Sequence, residues 1–320
     1  MTDPIHRTVQ TNGISMHVAE QGPSDGRPVI LCHGFPELWY SWRHQLPALA
    51  AAGYHAVAPD QRGYGGTDAP LGVERYDIRA LVDDQLGLLD ALDLEQAVFV
   101  GHDWGAIVVW NLAVMAPERV RAVAGLSVPF IPRPPAPPTQ LFRAVMGDSF
   151  FYMLYFQDEG PADDELAEDA RRAMARVLWS ASGDAPSGSI RRLPRQGTRY
   201  LDQLSDPPAE LPGWLSEGDI DAYASEFART GFTGALNWYR NLDRNWELAE
   251  PFAEAKVAMP ALFVAGERDA VLRLTPPQVM DGWLTDSRGT HLIPGAGHWI
   301  QQERPEEVSR LLVEFLGMLG

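Results

Sequence analysis

Short apolar runs alternate with segments of helical periodicity along the first 126 residues. Residues 5–11 and 14–20 are predicted to be two strands, because the Asn12-Gly13 pair between them is typical of a β-hairpin turn. Further strands are predicted at 28–32, 55–59, 97–101 and 120–126, and helices at 39–51, 78–92 and 106–115. This alternation predicts a mostly parallel sheet with helices on both faces.

The alternation stops at a proline-rich stretch, residues 129–138, which can continue neither a helix nor a strand. Residues 139–245 then carry helical patterns without a clear strand. Strands return at 261–265 and 290–293, and a last amphipathic helix follows at 305–319. We therefore expect an α/β core made of residues 1–130 and 246–320, with residues 131–245 inserted as a helical cap.

The strand at 97–101 ends in Gly101-His102-Asp103-Trp104-Gly105, directly before a helix. Small residues on both sides of a central polar residue are what a sharp strand-to-helix turn requires, because larger side chains would clash with the backbone. Such a turn exposes its middle side chain, which is often Ser but here is Asp103. A carboxylate with an ordinary pKa of about 3.9 is charged at neutral pH and can attack an sp³ carbon.

Two further candidates follow the last two predicted strands. Asp269 comes shortly after 261–265, and His298 comes shortly after 290–293, so that the chain order is nucleophile, acid, base. A single aspartate or histidine beside glycines is more often a turn former or a surface residue. Three such residues, each shortly after a predicted strand and in this chain order, predict a catalytic triad in which Asp269 orients His298.

Composition excludes several other classes of function. The formal charge of −17 and the sequence pI of about 4.8 argue against an extended surface for nucleic acid or an anionic membrane. Cys32 is the single cysteine and the N-terminus has no signal-like apolar segment, which predicts a cytoplasmic protein without disulfides. No apolar run approaches the roughly 18 residues of a membrane span. No cluster has metal-ligand spacing, and we expect neither metal nor cofactor.

These motifs resemble the α/β-hydrolase superfamily and, within it, the soluble epoxide hydrolases. The resemblance covers essentially the whole chain. Its motifs are His33-Gly34-Phe35-Pro36, Arg62-Gly63-Tyr64-Gly65, Gly101-His102-Asp103-Trp104-Gly105, Gly266-Glu267-Arg268-Asp269, Gly297-His298, and two in the cap, residues 151–157 and 236–241. The resemblance implies an α/β-hydrolase fold with an inserted cap.

The resemblance also implies a cofactor-independent epoxide hydrolase, which converts an epoxide and water to a vicinal diol. Asp103 would attack the epoxide and form a covalent alkyl-enzyme ester, and His298 would activate the water that hydrolyses this ester. The backbone N–H groups of Phe35 and Trp104 would form the oxyanion hole.

An epoxide leaves as an alkoxide and needs a proton donor, which a phenol with a pKa of about 10 supplies at neutral pH. The resemblance places Tyr152 and Tyr239 at the positions of the two ring-opening tyrosines, with Tyr155 as an alternative to Tyr152. An apolar pocket between cap and core is expected to bind a small apolar epoxide and water. Its predicted walls include Trp39, Tyr155, Trp238 and Trp299.

Two alternatives stay open at this point. A haloalkane or haloacid dehalogenase would use the same triad, with the Trp104 indole N–H holding a halide, but Phe35 offers no second side-chain donor. A non-catalytic binding protein of the same fold would have no need of His298. The sequence does not indicate which epoxide is used, whether the role is detoxification, or the oligomeric state, for which a homodimer is one option.

Overall fold

The computed structural model describes residues 3–320. Its strands are β1 (Ile5–Thr11), β2 (Ile14–Gln21), β3 (Arg27–Cys32), β4 (Tyr54–Pro59), β5 (Ala97–His102), β6 (Val120–Leu126), β7 (Val257–Gly266) and β8 (Leu284–Ile293). They form one sheet in the order β1-β2-β4-β3-β5-β6-β7-β8. The β1–β2 hairpin turns at Asn12-Gly13 as predicted, and β2 pairs with β4 antiparallel. All other neighbouring strands pair in parallel, which confirms the mostly parallel sheet.

The α-helices of the described chain are α1 (Gln45–Ala51), α2 (Ile78–Ala91), α3 (Trp104–Met115), α4 (Pro138–Met146), α5 (Tyr152–Tyr155), α6 (Pro161–Glu168), α7 (Ala170–Ser180), α8 (Glu217–Thr230), α9 (Thr233–Arg240), α10 (Leu242–Leu248), α11 (Val271–Leu274), α12 (Ile300–Glu303) and α13 (Pro305–Gly317). Apolar side chains of α1 and α13 pack on one face of the sheet, and those of α2 and α3 pack on the other. These helices and the sheet form the α/β core that the sequence predicts.

The two packed faces explain why the central strands have uninterrupted apolar sequences. Successive side chains of a strand point to opposite faces, and in β3 Val29 and Leu31 join one buried cluster while Ile30 and Cys32 join the other. A strand covered on both sides has no position that favours a polar residue. The apolar runs therefore predicted the central strands to within one or two residues.

Helices α4 to α10 lie between β6 and β7 in the chain, where the sequence predicts a helical cap. The proline-rich residues 129–138 lead out of the core and end at the start of α4. α9 is fixed to the core by its Trp238, whose indole Nε1 donates to the Arg62 carbonyl oxygen at 3.1 Å. The predicted cap boundaries at residues 130 and 245 stay a prediction.

Three predicted elements differ from the structure. β7 begins at Val257 rather than at residue 261, because it continues through Pro260, a residue type that is usually found at strand boundaries. The helix predicted over 39–51 is a 3₁₀ turn, Trp39–Trp42, followed by the separate helix α1. A continuous helix would bring the Pro47 ring against the carbonyl of Arg43, whereas proline is tolerated in the first turn of α1. The strand predicted at 290–293 begins at Leu284, because the earlier residues of this edge strand are mostly exposed and polar.

None of the described helices is long and apolar enough to cross a membrane. The cytoplasmic location and the homodimer option stay predictions.

Candidate active site

Asp103 lies in the sharp turn between β5 and α3, at a positive φ of 51° that is unusual for a residue with a side chain. A Cβ at Gly101 would lie 2.2 Å from the Gly105 carbonyl oxygen, and a Cβ at Gly105 would lie 2.0 Å from the Cys32 carbonyl oxygen. Both separations are shorter than any tolerated contact. The turn therefore needs glycine at both positions, as the G-x-D-x-G pattern predicts.

The structure brings Asp103, Asp269 and His298 together in the loops that follow the carboxyl ends of β5, β7 and β8. His298 Nδ1 lies 2.9 Å from Asp269 Oδ2, and His298 Nε2 lies 3.5 Å from Asp103 Oδ2. The other oxygen of Asp269, Oδ1, accepts a hydrogen bond from the Val271 backbone N–H at 2.9 Å. Asp269 is thus held by its own loop and in turn orients the His298 ring.

His298 and Asp103 shift each other's pKa. Burial opposes the charged form of His298, but Asp269 and Asp103 more than offset it and raise the pKa of His298 well above its ordinary value. Burial likewise raises the pKa of Asp103, but the hydrogen bond and charge of His298 outweigh it, and the pKa of Asp103 ends below its ordinary value. The resting site therefore holds an ionised Asp103 beside a protonated His298.

The loop that follows β3 also contacts the Asp103 carboxylate. The Phe35 backbone N–H donates to Asp103 Oδ1 at 2.9 Å, so this group already faces the oxygen that the predicted oxyanion hole would bind. The Trp104 backbone N–H stands at the first position of α3. It has no acceptor among residues 3–320, since the first N–H groups of a helix lack intrahelical partners.

A buried pair of side chains, His102 and Glu37, supports the loop that carries His298. His102 Nε2 lies 2.8 Å from the His298 carbonyl oxygen, and His102 Nδ1 lies 2.7 Å from Glu37 Oε2. Both ring nitrogens of His102 are therefore held, one by the loop that carries His298 and the other by Glu37. Burial raises the pKa of Glu37, but the charge and hydrogen bond of His102 outweigh it and lower the pKa overall.

The triad opens into a cavity of about 220 Å³ between the core and helices α5, α7 and α9. Its walls are mainly apolar and aromatic: Phe35, Asp103, Phe151, Tyr152, Val177, Ala181, Ile190, Tyr200, Gln203, Leu204, Tyr239, Asp269, Ala270, Val271, Leu274, His298 and Trp299. A small apolar molecule with a few hydrogen-bonding atoms suits such a lining. Among residues 3–320, no group of three or more metal-ligating side chains could hold a metal ion.

Tyr152 of α5 and Tyr239 of α9 line this cavity together. Their ring centroids are 5.9 Å apart, and the ring of Phe156 packs against both, at 5.5 and 5.1 Å. Burial, and after it the charge of Asp103, raises the pKa of both tyrosines well above the ordinary value. Neither hydroxyl has a hydrogen-bond partner within the described chain, so both are neutral donors open to the cavity.

Comparison with known proteins agrees with this geometry. The family described as alpha/beta hydrolase fold matches residues 27–305. Epoxide hydrolase A of Mycobacterium tuberculosis is 51% identical over 318 residues, which cover 99% of this chain and 98% of that protein. The chain belongs to the epoxide hydrolases of the α/β-hydrolase family. The family that the motifs predict is therefore confirmed.

Solved structures of epoxide hydrolases have the same fold. Epoxide hydrolase A from Mycobacterium thermoresistibile superposes with a TM-score of 0.94 at 51% identity, over 98% of each chain. An epoxide hydrolase from an endophytic Streptomyces superposes with a TM-score of 0.95 at 43% identity, over 100% of this chain and 97% of that one.

Of the four aromatic residues predicted to line the pocket, the structure places only Trp299 in the wall of this epoxide hydrolase's cavity. Trp39 instead lies outside, with its ring 4.7 Å from that of His6, because the 3₁₀ turn that it begins directs it toward the N-terminal hairpin. Its predicted place in the pocket is therefore wrong.

The predictions for Tyr155 and Trp238 are also wrong. The Tyr155 ring packs on Phe150 at 5.3 Å, on the side of α5 away from the cavity, so it offers no alternative to Tyr152. Trp238 is fully buried between Tyr64 and Trp104, with ring separations of 5.4 and 5.9 Å. It fixes α9 to the core rather than contacting a ligand.

The sequence did not reveal the other cap residues that line the cavity, among them Tyr200, Gln203 and Leu204. They belong to an irregular segment in which the Leu201–Gln203 3₁₀ turn is the nearest regular element. Such a segment has no periodicity from which its inward face could be predicted. Glu37 was also missed, because a glutamate directly after a proline is usually exposed.

Proposed function

We propose that this epoxide hydrolase forms a covalent ester on Asp103 and then hydrolyses it to release a vicinal diol. The observation that carries the proposal is that a nucleophile and two proton donors line the same apolar cavity. An ionised carboxylate, Asp103, lies on one side, and the two neutral phenols of Tyr152 and Tyr239 lie on the other. A nucleophile facing two acids is what opening of a strained C–O bond requires.

In the first step, Asp103 Oδ2 attacks a ring carbon of the epoxide. The carbon–oxygen bond of the ring breaks, its electron pair goes to the ring oxygen, and Tyr152 or Tyr239 donates a proton to that oxygen. Asp103 Oδ1, which accepts from Phe35 N–H, becomes the carbonyl oxygen of the ester. The raised pKa values of the tyrosines keep both protonated until the leaving oxygen develops charge.

Alkylation also prepares the second step. Esterification removes the negative charge of Asp103, which is one of the causes that raise the pKa of His298. His298 then releases its proton, which restores the tyrosine, and becomes a base. It deprotonates a water that attacks the ester carbonyl, and the Phe35 and Trp104 N–H groups stabilise the oxyanion. The departing diol oxygen takes a proton back from His298. Asp103 is left as a carboxylic acid and passes its proton to His298, which restores the ionised Asp103 and the protonated His298 of the resting site.

The position of Trp104 favours an epoxide over a halide as the substrate. Its side chain lines a separate cavity beside α10, not the cavity that contains Asp103. Phe35, which does line the active cavity, has no side-chain donor. A departing halide would therefore not meet the Trp104 indole N–H in this cavity, whereas a departing alkoxide needs a proton, which either tyrosine can donate.

Replacement of His298 by glutamine tests the covalent intermediate. The variant should open a terminal epoxide such as styrene oxide once, and then stop with Asp103 esterified. Intact-mass spectrometry should find the mass of one epoxide added, and peptide mapping should place it on Asp103. His291→Gln, at an exposed histidine of β8, is the matched control and should turn over normally. Diol formation by His298→Gln at the wild-type rate without an adduct would refute the mechanism.

A further inference from the structure

The cavity wall contains two polar atoms that the mechanism does not use. Tyr200 and Gln203 both line the cavity, next to apolar residues such as Leu204. The Tyr200 hydroxyl and Gln203 Oε1 have no hydrogen-bond partner in residues 3–320, and neither is among the buried unpartnered atoms. Both atoms are therefore accessible to solvent and belong to residues that line the cavity. Apolar residues of similar size would fill the wall equally well, so these polar atoms need another explanation.

The backbone around Tyr200 is held by a buried carboxylate. Glu165 of α6 accepts hydrogen bonds from the backbone N–H groups of Tyr200 at 3.0 Å and Leu201 at 2.8 Å. The ring of Tyr200 also packs against those of Tyr152 and Phe156, at 5.7 and 5.0 Å. The hydroxyl is thus carried by a residue whose backbone and ring are both fixed, and it lies beside a proposed ring-opening tyrosine.

Gln203 is held just as firmly through its other atoms. Its side-chain Nε2 donates to the Arg191 carbonyl oxygen at 3.0 Å, and its own carbonyl oxygen accepts from the Arg191 N–H at 2.8 Å. These contacts assign Nε2 to Arg191 and leave Oε1 as the free acceptor. A side chain anchored in this way loses little conformational entropy when Oε1 binds a ligand.

The two free atoms belong to the same short turn. The Gln203 N–H donates to the Tyr200 carbonyl oxygen at 3.2 Å, and side chains three residues apart in a 3₁₀ turn lie on the same face. Together they offer a phenolic donor and an amide acceptor to one ligand group. A hydroxyl matches both, because it accepts from Tyr200 and donates to Gln203.

We propose that Tyr200 and Gln203 bind a hydroxyl group of the substrate, so that the enzyme favours hydroxy-epoxides over hydrocarbon epoxides of the same shape. This inference rests on the proposed function, because it concerns the substrate of the same cavity. A hydrocarbon substrate would cover two polar atoms without replacing their water, which reduces its binding. The hydroxyl group of the bound substrate would lie on the cap side, away from the carbon that Asp103 attacks.

The test uses pairs of terminal epoxides that differ only in having a hydroxyl or a methyl group at the chain end, from glycidol and 1,2-epoxybutane to longer homologues. For each pair, the ratio of kcat/KM for the hydroxy member to that for the methyl member is measured in wild type, Tyr200→Phe and Gln203→Met. In at least one pair, this ratio should be about three- to tenfold lower in each variant than in wild type, as expected for one lost hydrogen bond.

Tyr54→Phe is the matched control, since it removes a phenolic hydroxyl of β4 that lies outside the cavity and contacts Arg27, and its ratio should equal that of wild type. Tyr200→Phe keeps the ring and every backbone contact, so a fold defect would lower the kcat/KM for both members and leave the ratio unchanged. Equal ratios in wild type and Tyr200→Phe for every pair would overturn the inference. Failure of wild type to open any epoxide would instead overturn the proposed function.

Discussion

The two sides of the active-site cavity hold their polar groups in opposite ways. On the core side, Asp103, Asp269 and His298 are joined to one another, and backbone N–H groups hold both carboxylates. On the cap side, formed by the helices between β6 and β7, the hydroxyls of Tyr152 and Tyr239 have no partner within residues 3–320, although their rings pack on each other and on Phe156.

The difference follows from charge. A carboxylate or imidazolium in a buried cavity stays ionised only if opposite charges and hydrogen bonds replace the lost water. A neutral phenol has a smaller desolvation penalty, so its hydroxyl can stay unpaired until a substrate arrives. Ring packing then supplies the positioning that hydrogen bonds supply in the core. The core side is thus organised before binding, whereas in the proposed mechanism the cap side keeps its donors for the substrate.

The largest effect should come from removing the charge on the core side. Asp103→Asn keeps the shape and the left-handed conformation, which asparagine tolerates, but takes away the nucleophile. We expect kcat/KM for a terminal epoxide to fall at least about 10⁴-fold, measured by diol formation. Asp93→Asn is a matched control, because Asp93 is an exposed aspartate with a similar φ of 55°. Retained activity in freshly prepared Asp103→Asn would exclude Asp103 as the nucleophile.

A smaller but still large effect should come from the cap side. Either Tyr152→Phe or Tyr239→Phe leaves one donor in place, and we expect kcat/KM to fall about 10- to 100-fold. The double variant lacks both, and the loss should reach about 10³-fold or more, within the range for general acids. Single-turnover measurements should place the loss in ester formation. Wild-type rates in the double variant would show that the leaving oxygen takes its proton from elsewhere.

The core side of this comparison could be predicted from the sequence. Backbone geometry dictates residue identity there: the turn at Asp103 needs glycine on both sides, and parallel strands bring their following loops to one edge. Asp269 and His298 could therefore be placed from chain order alone. The ends of the strands that precede them were also predicted, although β7 and β8 begin four and six residues before the predicted strands.

The cap side was predicted only where the resemblance supplied a motif. Tyr152 and Tyr239 were found in this way, but Tyr155 and Trp238 were wrongly placed in the pocket. A single-turn helix such as α5 has too few residues for its periodicity to distinguish inward from outward positions. Tyr200 and Gln203 depend on the fold of an irregular segment, which is set by tertiary contacts such as those of Glu165.

The smallest predicted effect is a lower pKa of His298 in a core-side variant, and it can be measured without an activity assay. Asp103 is one of two carboxylates that raise the pKa of His298, and the neutral tyrosines are not among the causes. Asp103→Asn removes one negative charge while burial still favours the neutral ring, so His298 should lose its proton at a lower pH than in wild type. In the Tyr152→Phe/Tyr239→Phe double variant, His298 should titrate as in wild type.

NMR spectra of histidine-labelled protein across a pH series would measure the His298 titration in both variants, with the His298 signal assigned by its loss in His298→Gln. An unchanged His298 titration in Asp103→Asn would mean that Asp269 alone sets the charge of the base, and that esterification of Asp103 cannot be what releases its proton.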